Sequence, residues 1–429
     1  MKHKKLFLFE LNEFNLEFLK KYSKLYNLKY IKKLLKLKYQ KTACDSLREM
    51  QGLDPWTQWV NVHTGQTSKK HNLLQIGESQ NLKHPQIWDY LSKKKISSGV
   101  WGGMNTKNND NIYNNVFFPD PWNFSQAIKP NYLQSFFLLP SYLLKNYVKP
   151  SKIKIALYSL KFVIFFLKSG FFYSITKKSL FIINYFIKNR INKYYFYSVF
   201  DWINLLIFLN LKKKFNFDFS LFFANFLAST QHRIWEDKNR HNENRFTFMI
   251  LDNMIKEIFL SLKKDEKVII ASGLSQKKLP FKQPYYRQLD QYSFFKKIGL
   301  KNFYLQQNMT NDSMIFFHNK SDFKSGFHII QNLKIDSYKM FHCQKKKISR
   351  KQYIFCRIIY NKEANKKTLI KYNNKEFNFF DLCVLDAIRT GEHIPVCHLF
   401  SDFKIKKIKM NFEIFNEIMF FFGKTVGKK

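Results

Sequence analysis

The stretch that most restricts the fold opens the chain. KLFLFEL (residues 5–11) has the length and apolarity of a buried strand, and it leads directly into NEFNLEFLKKYSKLYNLKYIKKLLK, where Phe14, Phe18, Tyr22 and Leu25 recur at helical spacing between lysines. A strand that runs straight into an amphipathic helix is the start of a βα unit, which commits the chain to an α/β architecture with a mostly parallel sheet. ISSGVWGGMN (96–105) and KVIIASGLSQ (267–276) repeat the form, each a strand ending in glycine and polar residues. Open α/β sheets place their chemistry at such strand ends.

The segment 126–215 reads differently. Its long, aromatic-rich, helix-periodic pieces, among them IKIALYSLKFVIFFLKSGFF, show no strand alternation and are read as a helical insertion or cap. The expected organisation is therefore an N-terminal part of the core at 1–125, the insertion at 126–215, and a C-terminal part of the core at 216–429. In the last part FDFSLFFANFLASTQHRIW reads as strand then loop, FTFMILDNMIKEIFLSLKK as a packing helix with an Asp252–Lys256 pair, and 280–429 as mixed α/β with weak strands.

At 429 residues the chain exceeds the usual span of one hydrophobic core. The formal charge is +42, but the lysines are scattered and no nucleic-acid-reading signature accompanies them, so the charge reads as a solvated basic surface without specific nucleic-acid binding. Five cysteines without a CxxC pair argue for free thiols in a reducing compartment. The apolar N-terminal run is cut by Glu10, too early for an export signal. Elsewhere, runs such as FVIFFL end well before the ~18–20 residues of a bilayer crossing. A cytoplasmic location is expected.

In LDPWTQWVNVHTG (53–65), Asp54 before Pro55 marks a helix start, with Asp54 as N-cap, and Gly65 marks its end. The free N–H groups at such a helix start favour an anion. Two tryptophans, Trp56 and Trp59, crowd its first turns, where they are read as wedging the helix against the sheet.

With HTGQTSKKHN following it, this segment resembles the alkaline phosphatase superfamily, the sulfatases and nucleotide pyrophosphatase/phosphodiesterases. In that group a nucleophile opens a helix that runs into Thr-Gly and then His-Gly; here Thr64-Gly65 and His71 match, with Asn72 in place of the second glycine. The order ELNEFN (10–15), LDPWTQW (53–59), WGGMN (101–105) and PDPW (119–122) is similar to an uncharacterised divergent branch of the group. The resemblance implies an alkaline-phosphatase-like three-layer α/β/α fold with a helical insertion. It also implies divalent metal, zinc, calcium or manganese, held at strand ends for phospho- or sulfo-ester cleavage.

Carried over residue by residue, the resemblance implies Asp54 and Thr57 as the groups beside the nucleophile position, which itself falls on Pro55. It implies Glu10, Asn12, His232 and His393 as metal ligands, with Glu13, Arg48, Asn105 and Gln231 as contacts to an anionic substrate, a small molecule or a glycan. The carboxylates of the pattern are depleted: Asn12, Ala228 and Ser272 stand where Asp is usual, Gly273 where His is usual, and Asn225 and Ser229 are the nearest polar substitutes for Ala228. Either Glu10 or Glu13 substitutes for the carboxylate missing at Asn12, or fewer negative ligands mean a weakened or absent metal site. The alternative is a non-catalytic binding or assembly protein that retains the fold and contacts an anionic glycan or the periphery of a membrane.

Overall fold

The N-terminal run forms β1 (Lys5–Leu11), in which Phe7, Phe9 and Leu11 alternate with Leu6, Leu8 and Glu10 toward opposite faces of the sheet. The protein is described from a computed structural model covering residues 3–45, 53–109, 113–146, 150–235, 237–307, 311–348 and 351–423. It divides into two compact units, Met1–Lys278 with Gly391–Lys429, and Leu279–Thr390.

The first unit is built on a seven-stranded, mostly parallel sheet. With β2 (Lys38–Ala43), β3 (Ser98–Trp101), β4 (Asn114–Phe118), β5 (Phe219–Ala224) and β6 (Glu266–Ala271), the order is β2, the strand Val396–Ser401, β6, β1, β5, β3, β4. β6, β1, β5, β3 and β4 run parallel, whereas Val396–Ser401 is antiparallel to both β6 and β2. Because that strand runs the other way, the residues just before Val396 lie at the same edge as the C-termini of β1, β5 and β6.

After β1 the expected helix is broken in two: α1 (Leu16–Leu25) and α2 (Lys29–Leu34). Asn27 adopts φ 52° between them, and Leu25, expected on the buried stripe, is 58% exposed. Asp252 caps α2, its Oδ1 accepting from the N–H groups of Tyr30 and Ile31 at 2.7 and 2.8 Å. It is thus more than the partner of Lys256. The helix of the 53–65 segment is α3 (Pro55–Thr64), ended by Gly65 at φ 68°. It is followed by α4 (Ser68–His71) and α5 (Ile87–Ser92).

The span 126–215 contains α6 (Gln134–Lys145), α7 (Lys152–Lys168), α8 (Phe172–Lys188) and α9 (Tyr195–Phe215). α9 packs Trp202, Leu205 and Phe208 into the same core as Phe7 and Phe9 of β1. Beyond β5 the chain enters α10 (Phe226–Ile234) where a loop was expected, because Asp201 of α9 accepts from the N–H groups of Asn225 and Phe226 and so anchors its first turn. α11 (His241–Ser261) completes this face.

The second unit carries an antiparallel sheet ordered Phe341–Ile348, Lys351–Ile358, Asp312–Phe317, Phe303–Gln307, around a core that includes Phe295, Ile315, Ile330, Ile354 and Phe379. All five cysteines are free.

Candidate metal centre

One face of α3 meets one face of β1 in matching steps. His63 Nε2 pairs with Glu10 Oε1 at 2.7 Å, and Trp59 Nε1 donates to Asn12 Oδ1 at 2.8 Å. Residues four apart on a helix advance about 6 Å and residues two apart on a strand about 6.6 Å. Trp59 and His63 therefore address Asn12 and Glu10 in register. This is what the second tryptophan does: its indole holds the amide at the strand end in one orientation.

That orientation fixes the next contact. With Oδ1 facing an N–H donor, Asn12 presents its Nδ2 to Glu13 Oε1 at 3.0 Å and to Asn225 Oδ1 at 2.7 Å. Asn12, expected as a metal ligand through its oxygen, is instead a donor that steadies Glu13. Glu10, expected beside it as a ligand, is fully buried against His63; burial raises its carboxyl above the ordinary range, and the facing imidazole pulls it back only in part.

Glu13 is the carboxylate at the centre. It follows β1 with φ 57°, an unusual conformation for a residue with a Cβ. Gln231 secures that turn: its Nε2 donates to the Glu13 carbonyl at 2.7 Å, and its Oε1 accepts from the Asn15 N–H at 2.9 Å. The next residue on α10, His232, brings Nε2 to 3.0 Å from Glu13 Oε2, and His393 brings its own Nε2 to 3.1 Å from the same oxygen. The two imidazole Nε2 atoms are 3.2 Å apart. Gln276, just beyond β6, also donates its Nε2 to Glu13 Oε2. Burial raises the Glu13 carboxyl, but His393 and His232 beside it lower it further, so the net position is well below the usual carboxylate range.

Glu13, His232 and His393 form a group able to hold a metal ion, the one such cluster among the described residues. The donor set passes a simple test. Each imidazole directs Nδ1 at a backbone carbonyl, His232 at Gly391 (3.2 Å) and His393 at Leu53 (2.8 Å). A carbonyl can only accept, so both rings carry a proton on Nδ1, and Nε2, the nitrogen that faces Glu13, is the one that a second proton or a metal ion would occupy. A tetrahedral ion with bonds of 2.0–2.1 Å needs ligand atoms about 3.3–3.4 Å apart, close to the observed 3.0–3.2 Å. Glu13 is 4% exposed at its side chain and the histidines 25% and 22%, so one side of the cluster is open.

The other expected site residues are placed as follows. Asp54 precedes α3, half-buried, without a side-chain capping bond; its carbonyl instead accepts from Thr57 and Gln58. It neighbours Leu53, whose carbonyl seats His393. Thr57 is fully buried and faces the Leu73 carbonyl at 3.4 Å, which removes it from any reacting surface. Asn105 is also fully buried; its side chain binds Gly77 N–H and the Gln75 and Trp56 carbonyls, tying loops together instead of contacting an anion. Gln231 spends both ends of its amide on backbone. Arg48 lies outside the described residues. At Ser272 and Gly273, where the resemblance leads to Asp-His, Trp59 fills the room: a Cβ on Gly273 would lie 3.0 Å from the indole.

Gln276 and the Glu10–His63 pair carried no sequence signal of their own. The four-residue spacing of Trp59 and His63 against the two-residue spacing of Glu10 and Asn12 could have disclosed the pairing.

The site is thus a Glu–His–His cluster at the carboxyl edge of a seven-stranded, mostly parallel α/β sheet with helices packed on it. No family model and no curated protein matches the chain. Among solved structures it is similar to murine ectonucleotide pyrophosphatase/phosphodiesterase 5 (11% identity, 99% of this chain and 96% of that one covered, TM-score 0.47). It is also similar to phosphonoacetate hydrolase from Sinorhizobium meliloti in complex with phosphonoformate (8% identity, 97% and 95% covered, TM-score 0.45).

Proposed function

We propose that the protein is a metal-dependent hydrolase of phosphate or sulfate esters, working with one divalent ion held by Glu13, His232 and His393. The observation that carries this reading is the convergence of three ligand atoms at 3.0–3.2 Å with both Nδ1 protons already committed to carbonyls. Two imidazoles and one carboxylate favour zinc, or manganese, over calcium, which takes six or more oxygens. The substrate is a small anionic ester, a sugar phosphate or sulfate among the candidates. When bound, the ion supplies Lewis acidity to an ester oxygen.

The chain supplies the rest. Glu13 contributes the negative charge, kept ionised by its neighbours. Asn12 and Gln276 hold its oxygens in place, and Gln231 holds its backbone. Asp54, one residue from the carbonyl that seats His393, is the carboxylate we assign either to attack phosphorus or sulfur as the alcohol leaves, giving a mixed anhydride that water then cleaves, or to accept a proton from a water that displaces the alcohol directly.

A second reading, metal binding without turnover, draws on the indole that fills the place of a further ligand pair at Ser272-Gly273. One experiment separates the two. The purified chain, loaded with zinc or manganese, is assayed on p-nitrophenyl phosphate, bis-p-nitrophenyl phosphate and p-nitrophenyl sulfate beside Asp54→Asn and His393→Ala. Turnover lost in both variants, with metal retained only by Asp54→Asn, supports the hydrolase. Stoichiometric metal with no turnover of any ester supports the second reading, and no metal uptake refutes both.

A further inference from the structure

Helices α7 and α8 carry two apolar stripes each where one would serve a folding core. On α7, Phe162, Phe165 and Phe166 pack inward. Ile153, Leu157, Leu160, Ile164 and Leu167, at alternating four- and three-residue steps, face outward and are 39–81% exposed. On α8, Ile175 and Ile182 are buried, while Tyr173, Leu180, Ile183 and Ile187 form a second outward row, 48–77% exposed. An ordinary surface helix has charged and polar residues on its outer face. Exposed apolar rows of this kind mark a contact site.

The charge around these rows is one-sided. Between Asp120 and Asp201 the chain has no Asp or Glu and twelve Lys or Arg. At the overall frequency of acidic residues, 31 in 429, several would be expected in such a stretch, and a general enrichment in lysine does not remove them. Lys152, Lys161, Lys168, Lys177 and Lys188 stand exposed on the same two helices. Beside the first turn of α7 lies a cleft of about 400 Å³ lined by Lys145, Lys154, Tyr142 and Tyr158, among others, with no carboxylate in its lining.

We propose that the outward rows of α7 and α8 dock the protein on an anionic lipid bilayer, with the rows at the boundary between head groups and acyl chains and the lysines among the lipid phosphates. These rows share no residue with the metal centre. A polyanionic glycan would satisfy the lysines but leave the rows of Ile and Leu in water. A second copy of the chain would cover the rows but bring two basic surfaces together, the carboxylate of Glu257 being already paired with Lys178 of α8. A bilayer with anionic head groups satisfies both features.

Docking, not crossing, follows from the geometry. Among the described residues no single helix is long and apolar enough to span a membrane, and α7 and α8 meet that test only together across a 110° bend. Seventeen residues reach about 25 Å, less than the ~30 Å of a hydrocarbon core. α8 is also tied down: Trp202 Nε1 donates to Ser179 Oγ at 2.9 Å, and the Tyr185 hydroxyl donates to the Asn242 carbonyl at 2.8 Å, while α7 is held by Phe165 in the core.

The test is co-sedimentation of the full chain with vesicles of phosphatidylcholine alone and of phosphatidylcholine mixed with phosphatidylglycerol. The comparison variants are the triple substitution Leu160→Ser, Leu167→Ser, Ile183→Ser and the pair Lys161→Glu, Lys168→Glu. All five side chains are exposed, so an unchanged thermal transition is expected and is measured first. Binding to the anionic vesicles should exceed binding to phosphatidylcholine by about tenfold or more, fall with added salt, and drop by a similar factor in each variant. Wild-type protein that stays in the supernatant, or binds equally to both vesicle types, overturns the proposal. So does a triple variant that binds like wild type, or one whose only change is the loss of a dimer in light scattering. Retention on heparin that survives in the triple variant, without vesicle binding, assigns the lysines to a glycan and overturns it as well.

Discussion

His232 and His393 turn their Nε2 atoms toward each other at 3.2 Å while their Nδ1 atoms are held by the carbonyls of Gly391 and Leu53. Two lone pairs at that distance repel unless a cation lies between them, either a proton on one ring or a shared metal ion. Metal and proton therefore compete for this position, and metal binding should release protons as the pH falls toward the range where imidazole titrates. Titration calorimetry with zinc in two buffers of different ionisation enthalpy will show proton release at about one ion per chain. His232→Ala or His393→Ala should weaken binding by about a hundredfold or more.

Trp59 should influence the same site without touching it. Trp59→Phe removes the donor to Asn12 Oδ1 and leaves a buried amide oxygen unpaired, at a cost of about 1–3 kcal/mol. It also frees Asn12 to rotate its Nδ2 away from Glu13, which should lower zinc affinity by about tenfold. Trp56→Phe is the control, since Trp56 Nε1 donates to the Leu74 carbonyl and not to the cluster. A similar loss of stability with unchanged zinc affinity is expected there. Equal zinc affinity in both variants would show that Asn12 does not depend on the indole.

His71 predicts acid sensitivity. Its Nε2 meets Asn61 Oδ1 at 2.7 Å and its Nδ1 accepts from the Leu73 N–H at 3.0 Å, an arrangement only the neutral ring satisfies. Burial lowers its pKa from 6.5 to about 4, and His398 is lowered likewise to about 4 by burial and nearby Lys41. Between pH 6.5 and 4 the unfolded chain binds more protons than the folded one, so stability is full above pH 6.5 and declines as the pH falls. Each histidine contributes roughly 3 kcal/mol at most over that window. Urea unfolding from about pH 7 to pH 4.5 should show the decline in wild type and a shallower slope in His71→Gln. An unchanged slope would mean that the ring is already charged in the folded state.

The physical basis of these contacts decides what could be read in the sequence. β1 and the ends of α3 were legible because they depend on neighbours in the chain: apolar alternation in one case, Pro55 and Gly65 in the other. His232 and His393 were legible as candidates, but the choice between Glu10 and Glu13 as the carboxylate beside them was not. Glu10, Asn12 and Glu13 lie within four positions, and it is the φ of 57° at Glu13, maintained by Gln231 from 218 positions away, that sends the third of them to the cluster. Gln276 reaches the cluster only because β6 lies beside β1, a pairing that local pattern does not encode. The unit Leu279–Thr390 left little trace because strands such as FHCQKKKI alternate weakly, their polar face being rich in lysine.

Gly391 is the most exacting position around the cluster. Its carbonyl holds His232 Nδ1, and a Cβ there would lie 2.5 Å from Gln276 Oε1 and 2.7 Å from the Gln231 backbone oxygen. The first contact could be relieved by rotating Gln276, at the cost of its bond to Glu13; the second involves backbone of α10 and cannot be relieved by a rotamer. Either shift reaches Glu13, through its Oε2 or through the turn that Gln231 secures. Gly391→Ala should therefore destabilise the protein by about 1–3 kcal/mol and also weaken zinc binding by tenfold or more, about as much as removing an outer-shell partner. Gly170→Ala separates the two effects. At φ 72° with nothing within 4 Å, that substitution strains the backbone by about 1–2 kcal/mol but fills no space near the cluster. Paired unfolding and zinc-titration measurements should show both variants less stable and only Gly391→Ala weaker in zinc binding. A zinc affinity untouched by Gly391→Ala would mean that His232 does not need that carbonyl to present its Nε2 to the metal.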